Sequence, residues 1–236
     1  MNNTSSHTVH IVKLGWTRCF LLKCTGGYLL IDTYYPGHYP QFEKKLARLG
    51  IAVSEIKYLF LTHHHDDHAG FAAELVRRTG CRVIAHRNAV PALEEGKSEG
   101  NIKPVNRRIK IVFFFYMLFY MLFHKKFKFP LLALTERDIL IEGDNDSFLK
   151  GIGIDGVILH TPGHTGGCIS VLLSDGSAFV GDVAMNFLRW TGVGHRPIGI
   201  EDINTVYESW RKLRERGARI IYPAHGRPFS ATKLEK

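Results

Sequence analysis

The chain has 236 residues, 45% of them hydrophobic, with 31 Lys and Arg against 22 Asp and Glu for a formal net charge of +9. That length and apolar content suffice for one large core, with no linker to divide it. Seven of the positive charges (Lys103, Arg107, Arg108, Lys110, Lys125, Lys126 and Lys128) fall in one acid-free region, so the basicity is local and argues against a nucleic-acid surface spread over the molecule.

In chain order, residues 9–14, 19–24 and 28–32 read as strands, the last two joined at Gly26 and Gly27, and a helix over 41–49 stops at Gly50. Residues 56–61 form an apolar run that reads as a buried strand. It leads directly into Thr62, His63, His64, His65, Asp66, Asp67, His68, Ala69 and Gly70, with four histidines and two aspartates in six positions. Period-two alternation sends His63 and His65 to one side, while His64 and Asp66 occupy the positions that point away. Ala69, Ala72, Ala73 and Val76 repeat at helical spacing up to Gly80, so a helix begins near Asp67 and His68 and turns both toward the same point. Imidazoles and carboxylates are what a borderline divalent ion binds, and so dense a cluster reads as a metal site rather than a polar loop.

A strand over 82–86 and a short helix over 88–95 come next. Late strands fit 156–160, 169–173, 178–181 and 219–222, and a helix over 201–216 carries the apolar stripe Ile203, Val206, Trp210 and Leu213, which is core. His164, Asp182 and His225 each sit just past a short apolar run, where strand ends gather along one sheet edge. His160 reads as a packing residue. The four cysteines, Cys19, Cys24, Cys81 and Cys168, lack Cys-x-x-Cys spacing and read as reduced, packed thiols, Cys168 included despite its nearness to His164. Residues 1–7 show neither a basic start nor an apolar signal core, so a cytoplasmic location is expected.

This ordered set, from Asp32 to His225, resembles the metallo-β-lactamase superfamily of metal-dependent hydrolases. The resemblance implies an α/β fold, a four-layer αββα sandwich with its metals at one rim, as a single domain over 1–236. It also implies two divalent ions, zinc foremost, with iron or manganese as alternatives. One would be held by His63, His65 and His164 and the other by Asp67, His68 and His225, with Asp182 bridging and Asp32 supporting from behind. Two such ions a few ångströms apart lower the pKa of a bridging water and yield a hydroxide nucleophile, with Asp67 as the catalytic residue that orients it or passes its proton on.

Residues 101–135 depart from the family pattern as an insertion. Its centre, residues 111–123, is an unbroken run of apolar and tyrosine side chains, too short for a bilayer, which takes about 20 residues. It reads either as a buried helix or dimer interface over 107–129, or as a phenylalanine- and methionine-rich roof for a lipophilic substrate; its basic flanks would suit an anionic head group or peripheral contact with a membrane. Tyr34, Tyr35 and His38 read as surface residues that could line a cleft, and His195 and Arg196 as possible substrate contacts by position alone.

The resemblance implies a hydrolase of a small-molecule ester, thioester or lactone. Asp182 speaks against β-lactamase activity. Glyoxalase-two-like thioesterases share the ligand set but carry a C-terminal helical domain, whereas eleven residues follow His225 here. Lactonases of the family place a tyrosine where this chain has Met185. The alternatives are a phosphodiesterase acting on a phospholipid-like or nucleotide substrate, an iron-dependent oxidoreductase resembling persulfide dioxygenases, and a non-catalytic membrane-edge binding protein.

Overall fold

The computed structural model describes residues 8–98, 102–123 and 128–235. Strands β1 (Val9–Leu14), β2 (Thr17–Cys24), β3 (Gly27–Ile31), β4 (Ile56–Phe60), β5 (Arg82–His86), β6 (Lys103–Pro104), β7 (Ile139–Ile141), β8 (Gly156–His160), β9 (Ile169–Leu173), β10 (Ser177–Gly181), β11 (Gly199–Ile200), β12 (Ile220–Pro223) and β13 (Phe229–Ser230) form three sheets. The first has order β1-β2-β3-β4-β5-β7, the second β13-β12-β10-β9-β8, and β6 pairs with β11 as a small third. Within the first sheet β3, β4, β5 and β7 run parallel; in the second β10 and β12 do. The helices are α1 (Tyr39–Arg48), α2 (Asp66–Ala69), α3 (Ala72–Thr79), α4 (Val90–Glu95), α5 (Arg107–Phe123), α6 (Phe148–Gly151) and α7 (Ile203–Glu215).

Alternation along the central strands explains the layering. In β2, Cys19 and Leu21 face the cluster that holds Tyr39, Phe42 and Leu46 of α1 and Leu75 of α3, while Phe20 and Leu22 face the second sheet. In β10, Phe179 joins that inter-sheet core, and Ala178 and Val180 face Val206, Trp210 and Leu213 of α7. Strands buried on both faces must be apolar at both parities, and these are. Three cores between helix, sheet, sheet and helix make the four layers expected from the sequence.

Predicted boundaries hold to within about two residues, which is the usual fraying of element ends. The helix read over 88–95 opens with a 3₁₀ turn at Arg87–Ala89 before α4, and the one expected after His68 is divided into α2 and α3. Gly80 ends α3 in the left-handed conformation.

Of the alternatives open for residues 101–135, a helix buried all round is excluded: Ile111, Phe114, Phe115 and Leu118 of α5 are exposed by 59%, 65%, 61% and 47%. Among its described side chains Ile109 is buried and Phe113 half-buried against the body. The segment rejoins the body through Phe129 and Leu132, which are buried and bonded to the Gly96 and Leu93 carbonyls at 3.0 and 2.9 Å. Asn101 and residues 124–127, with the basic side chains Lys125 and Lys126, lie outside the described residues.

Trp210 locks α7 to the second sheet, since its ring is buried and its Nε1–H donates to the Val183 carbonyl at 2.8 Å. Trp210→Ala is expected to lower stability by about 3–5 kcal/mol, the range for losing a buried aromatic, as a shift of the urea midpoint at unchanged slope.

Candidate metal centre

The chemistry-bearing residues collect where strands end. Asp32 follows β3; residues 62–68 follow β4; His164 lies between β8 and β9; Asp182 follows β10; and His225 follows β12. Parallel strands from two sheets thus deliver their C-terminal ends to one rim.

His63, His65 and His164 bring their ring nitrogens together; Asp67, His68 and His225 bring together a carboxylate oxygen and two ring nitrogens; a third group joins His63, His68 and Asp182. His65 Nδ1 lies 3.0 Å from His63 Nε2 and 3.1 Å from His164 Nε2. In the other half, His225 Nε2 lies 3.1 Å from Asp67 Oδ2, and His68 Nε2 lies 3.7 Å from the same oxygen. Asp182 stands between them. Its Oδ1 is 3.4 Å from both His68 Nε2 and His225 Nε2, and its Oδ2 is 3.7 Å from His164 Nε2.

The outward-facing nitrogens determine where the protons sit. Thr62 Oγ1 donates its proton to Asp32 Oδ2 at 2.8 Å, so at 3.1 Å it accepts from His63 Nδ1. His68 Nδ1 donates to Asp32 Oδ2 at 2.9 Å, His164 Nδ1 to the Gly199 carbonyl at 2.7 Å, and His225 Nδ1 to the Trp16 carbonyl at 3.2 Å. In four imidazoles the contact thereby fixes a proton on Nδ1 and aims Nε2 inward. One proton on His65 cannot satisfy the two lone pairs beside it, whereas one cation can. A tetrahedral ion with nitrogen ligands at about 2.0–2.1 Å separates them by about 3.3 Å, close to the spacing here. In the second half, the buried His68 Nε2 and Asp182 Oδ1 make no hydrogen bond. These orphaned atoms and the donor set fit divalent ions.

The electrostatics of the two halves differ. Burial and the neighbouring imidazoles hold His63 and His65 well below the usual histidine range; burial also lowers His164. Burial would likewise depress His68 and His225, yet Asp67 and Asp182 outweigh it, lifting His225 to about 10 and His68 well above its ordinary value. Burial would raise Asp67, but His68 and His225 together overcome this and hold it at about 2; the same pair keeps Asp182 well below its ordinary value. Without ions, protons on His68 and His225 supply the positive charge that the carboxylates demand.

Two backbone features bring the rim together. Asp32 has φ +58°, a left-handed conformation costing a non-glycine residue of order 1 kcal/mol, and it aims the carboxylate at the Thr62 N–H, the Thr62 hydroxyl and His68. Gly181, at φ +53°, passes so close to Thr62 that a Cβ there would sit 2.3 Å from Oγ1.

A family model described as the metallo-β-lactamase superfamily matches residues 16–225. The chain belongs to this superfamily. A metal-dependent hydrolase of Methylocella silvestris is 33% identical over 97 residues, 40% of each chain. A hydroxyacylglutathione hydrolase of a Polaromonas strain is 29% identical over 97 residues, 39% of this chain and 35% of the relative. These matches therefore span well under half the length of either relative. Among solved structures, the subclass B3 metallo-β-lactamase BJP-1 of Bradyrhizobium japonicum superposes with a TM-score of 0.63 at 21% identity, covering 93% of this chain and 75% of that one. At that identity the likeness concerns the fold.

The other residues singled out from the sequence lie elsewhere. Cys168 is buried and bonded to Thr165, its thiol pushed up to about 12 by burial, and it joins none of the metal-capable groups among the described residues. His160 stacks on His86 at 4.1 Å and bonds the Gly166 carbonyl. His195 is buried, stacked on Phe229 at 3.8 Å, and Arg196 folds back onto the Val193 and Gly192 carbonyls, so neither is held toward the metal centre. Tyr34 is buried with the core under α1, its ring packed by Tyr35 and His38; it is not a surface residue.

Thr62 escaped the sequence reading, as did Thr17, whose hydroxyl donates to Asp67 Oδ2 at 3.3 Å. Thr62 stands directly before the histidine motif, a usable signal; Thr17 carries none. Thr62→Val removes the acceptor for His63 at nearly constant volume. It is expected to weaken metal binding by about 10–100-fold in chelator competition, with the circular dichroism spectrum retained.

Proposed function

We propose that this chain is a dinuclear metal-dependent hydrolase acting on an ester, thioester or lactone carbonyl of a small, lipophilic molecule. The observation that carries the reading is the placement of Asp182, whose two oxygens face two separate sets of nitrogens. In this reading His63, His65 and His164 hold one ion, Asp67, His68 and His225 hold the other, and Asp182 lies between them. Zinc suits the histidine-rich set, which iron and manganese also fit. When bound, the ions supply a water acidified toward neutrality and a Lewis acid for the carbonyl oxygen.

The chain's own residues supply orientation and proton transfer. The Thr62, Gly199 and Trp16 acceptors and the Asp32 carboxylate fix a proton on Nδ1 of His63, His164, His225 and His68 and aim each Nε2 inward. Asp67, anionic at neutral pH and fixed by the Thr17 hydroxyl, would help hold one ion, and its carboxylate would accept the proton of the attacking water and return it to the leaving alcohol or thiol. The name of the Polaromonas relative, a hydroxyacylglutathione hydrolase, favours acyl chemistry over phosphodiester cleavage. Phe113, half-buried beside Gly199 whose carbonyl orients His164, brings an apolar ring close to the rim and supports a lipophilic substrate.

Purified protein is expected to contain about two ions per chain by elemental analysis and to hydrolyse p-nitrophenyl esters in preference to bis-p-nitrophenyl phosphate. Chelation should abolish turnover and reloading restore it. Asp67→Asn is expected to lower kcat by about 10²–10⁴-fold, the range for losing a positioned proton carrier. Turnover of the phosphodiester alone would replace the acyl reading with the phosphodiesterase, and oxygen consumption by an iron-loaded protein would remove it from the hydrolases.

A further inference from the structure

Helix α5 is apolar on both its inner and its outer side, with its basic residues gathered at the N-terminal end. Its inner side holds Ile109 and Phe113 against the body, and its outer side carries Ile111, Phe114, Phe115 and Leu118, all exposed. These four fall at i, i+3, i+4 and i+7, a single stripe along one helix face. Continued one turn toward the N-terminus, the same stripe becomes Arg107 and Arg108, both exposed, with exposed Lys110 and Lys103 nearby in the chain. Soluble helices turn such a stripe inward; a contiguous apolar face left outward marks an interaction surface.

We propose that this outer face of α5 docks on an anionic lipid surface, lying in the interface with Phe114, Phe115 and Leu118 among the acyl chains and Arg107, Arg108 and Lys110 against the head groups. Three observations favour lipid over other occupants. First, the chain has no Asp or Glu between Gly100 and Thr135, so no carboxylate of this segment opposes a negatively charged surface. Second, the alternative occupant, a second copy of this chain, would have to bring like charges together. Lys103, Arg107, Arg108 and Lys110 precede the apolar run and Lys125, Lys126 and Lys128 follow it, so a parallel or an antiparallel helix pair sets basic end against basic end. Third, no helix among the described residues is long and apolar enough to cross a membrane, and the 17 residues of α5 suit lying along a surface.

The inference uses no property of the metal centre and stands or falls apart from the hydrolase reading. The metal-loaded full chain is sedimented with phosphatidylcholine vesicles, with and without phosphatidylserine, at low and high salt. Wild-type protein is expected to pellet with the phosphatidylserine vesicles and to be released by salt. The variant Phe114→Ser/Phe115→Ser/Leu118→Ser should lose about tenfold or more in partitioning, as the apolar contact is removed. Arg107→Gln/Arg108→Gln/Lys110→Gln should lose the preference for phosphatidylserine. Unchanged metal content in both variants shows that each is folded. Wild-type protein that stays in the supernatant with anionic vesicles overturns the proposal. So does a wild-type dimer in analytical ultracentrifugation that ignores vesicles and that the triple serine variant converts to monomer, which would assign the face to a second copy.

Discussion

The rim of this molecule depends on the junction between Asp32 and Thr62. The Asp32 carboxylate takes the Thr62 N–H and hydroxyl, each at 2.8 Å, and His68 Nδ1 at 2.9 Å, while the Thr62 carbonyl receives the Ile169 N–H of the second sheet at 2.9 Å. Gly181, at the end of β10, presses against the same threonine. One residue therefore touches β3 and β4 of the first sheet and β9 and β10 of the second. Because the junction is fully buried, its hydrogen bonds have no competing water, and leaving any partner unmade would carry the desolvation penalty of that group, about 1–3 kcal/mol. The left-handed backbone of Asp32 is tolerated because these bonds over-determine it.

That junction also accounts for the state of the imidazoles. A histidine becomes a metal ligand only when its other nitrogen is told which proton to keep, and here the instruction comes from a carboxylate, a hydroxyl and two main-chain carbonyls. Among the described residues, the ion pairs of Asp67 and Asp182 are all with histidines, so no lysine or arginine neutralises them. Buried carboxylates without such a partner require positive charge from protons or from cations. Protons on His68 and His225 meet the requirement only by consuming the inward lone pairs. Cations meet it while using them, which is why metal binding and proton release are coupled at a centre of this composition.

Most strands and helices were legible from apolar runs, helical stripes and glycine turns, while the four-layer arrangement came from the resemblance carried by the ordered motifs. Phe20 and Leu22 against Cys19 and Leu21 is a pattern that a strand covered on both faces produces. The clustering of His63, His65, Asp67 and His68 was legible because a strand that runs into a helix aims alternate residues and the first helical turn at one point. The rest was hidden for physical reasons. Gly199 and Trp16 act through backbone carbonyls, which carry no side-chain signature. Strands as short as β6, β11 and β13 have no periodicity to detect. The placement of α5 stayed open between burial, an interface and a substrate roof because a run apolar at every position has no polar face to show which side meets water.

The small sheet of β6 and β11 ties the insertion to the rim. Gly199 pairs with Pro104, its carbonyl orients His164, and a Cβ at 199 would lie 2.5 Å from Ile102 Cγ2 and 3.5 Å from the Phe113 ring. The inner face of α5 thus packs on the very strand that sets one of the ligand imidazoles. With Ile109 and Phe113 committed inward, a helical repeat of 3.6 residues leaves Ile111, Phe114, Phe115 and Leu118 no direction but outward. Turning that stripe toward the body would require Phe113 to leave its place beside Gly199. The inner face of α5 and the ligand His164 therefore meet at one glycine, which lies beside Phe113 and offers its carbonyl to the imidazole.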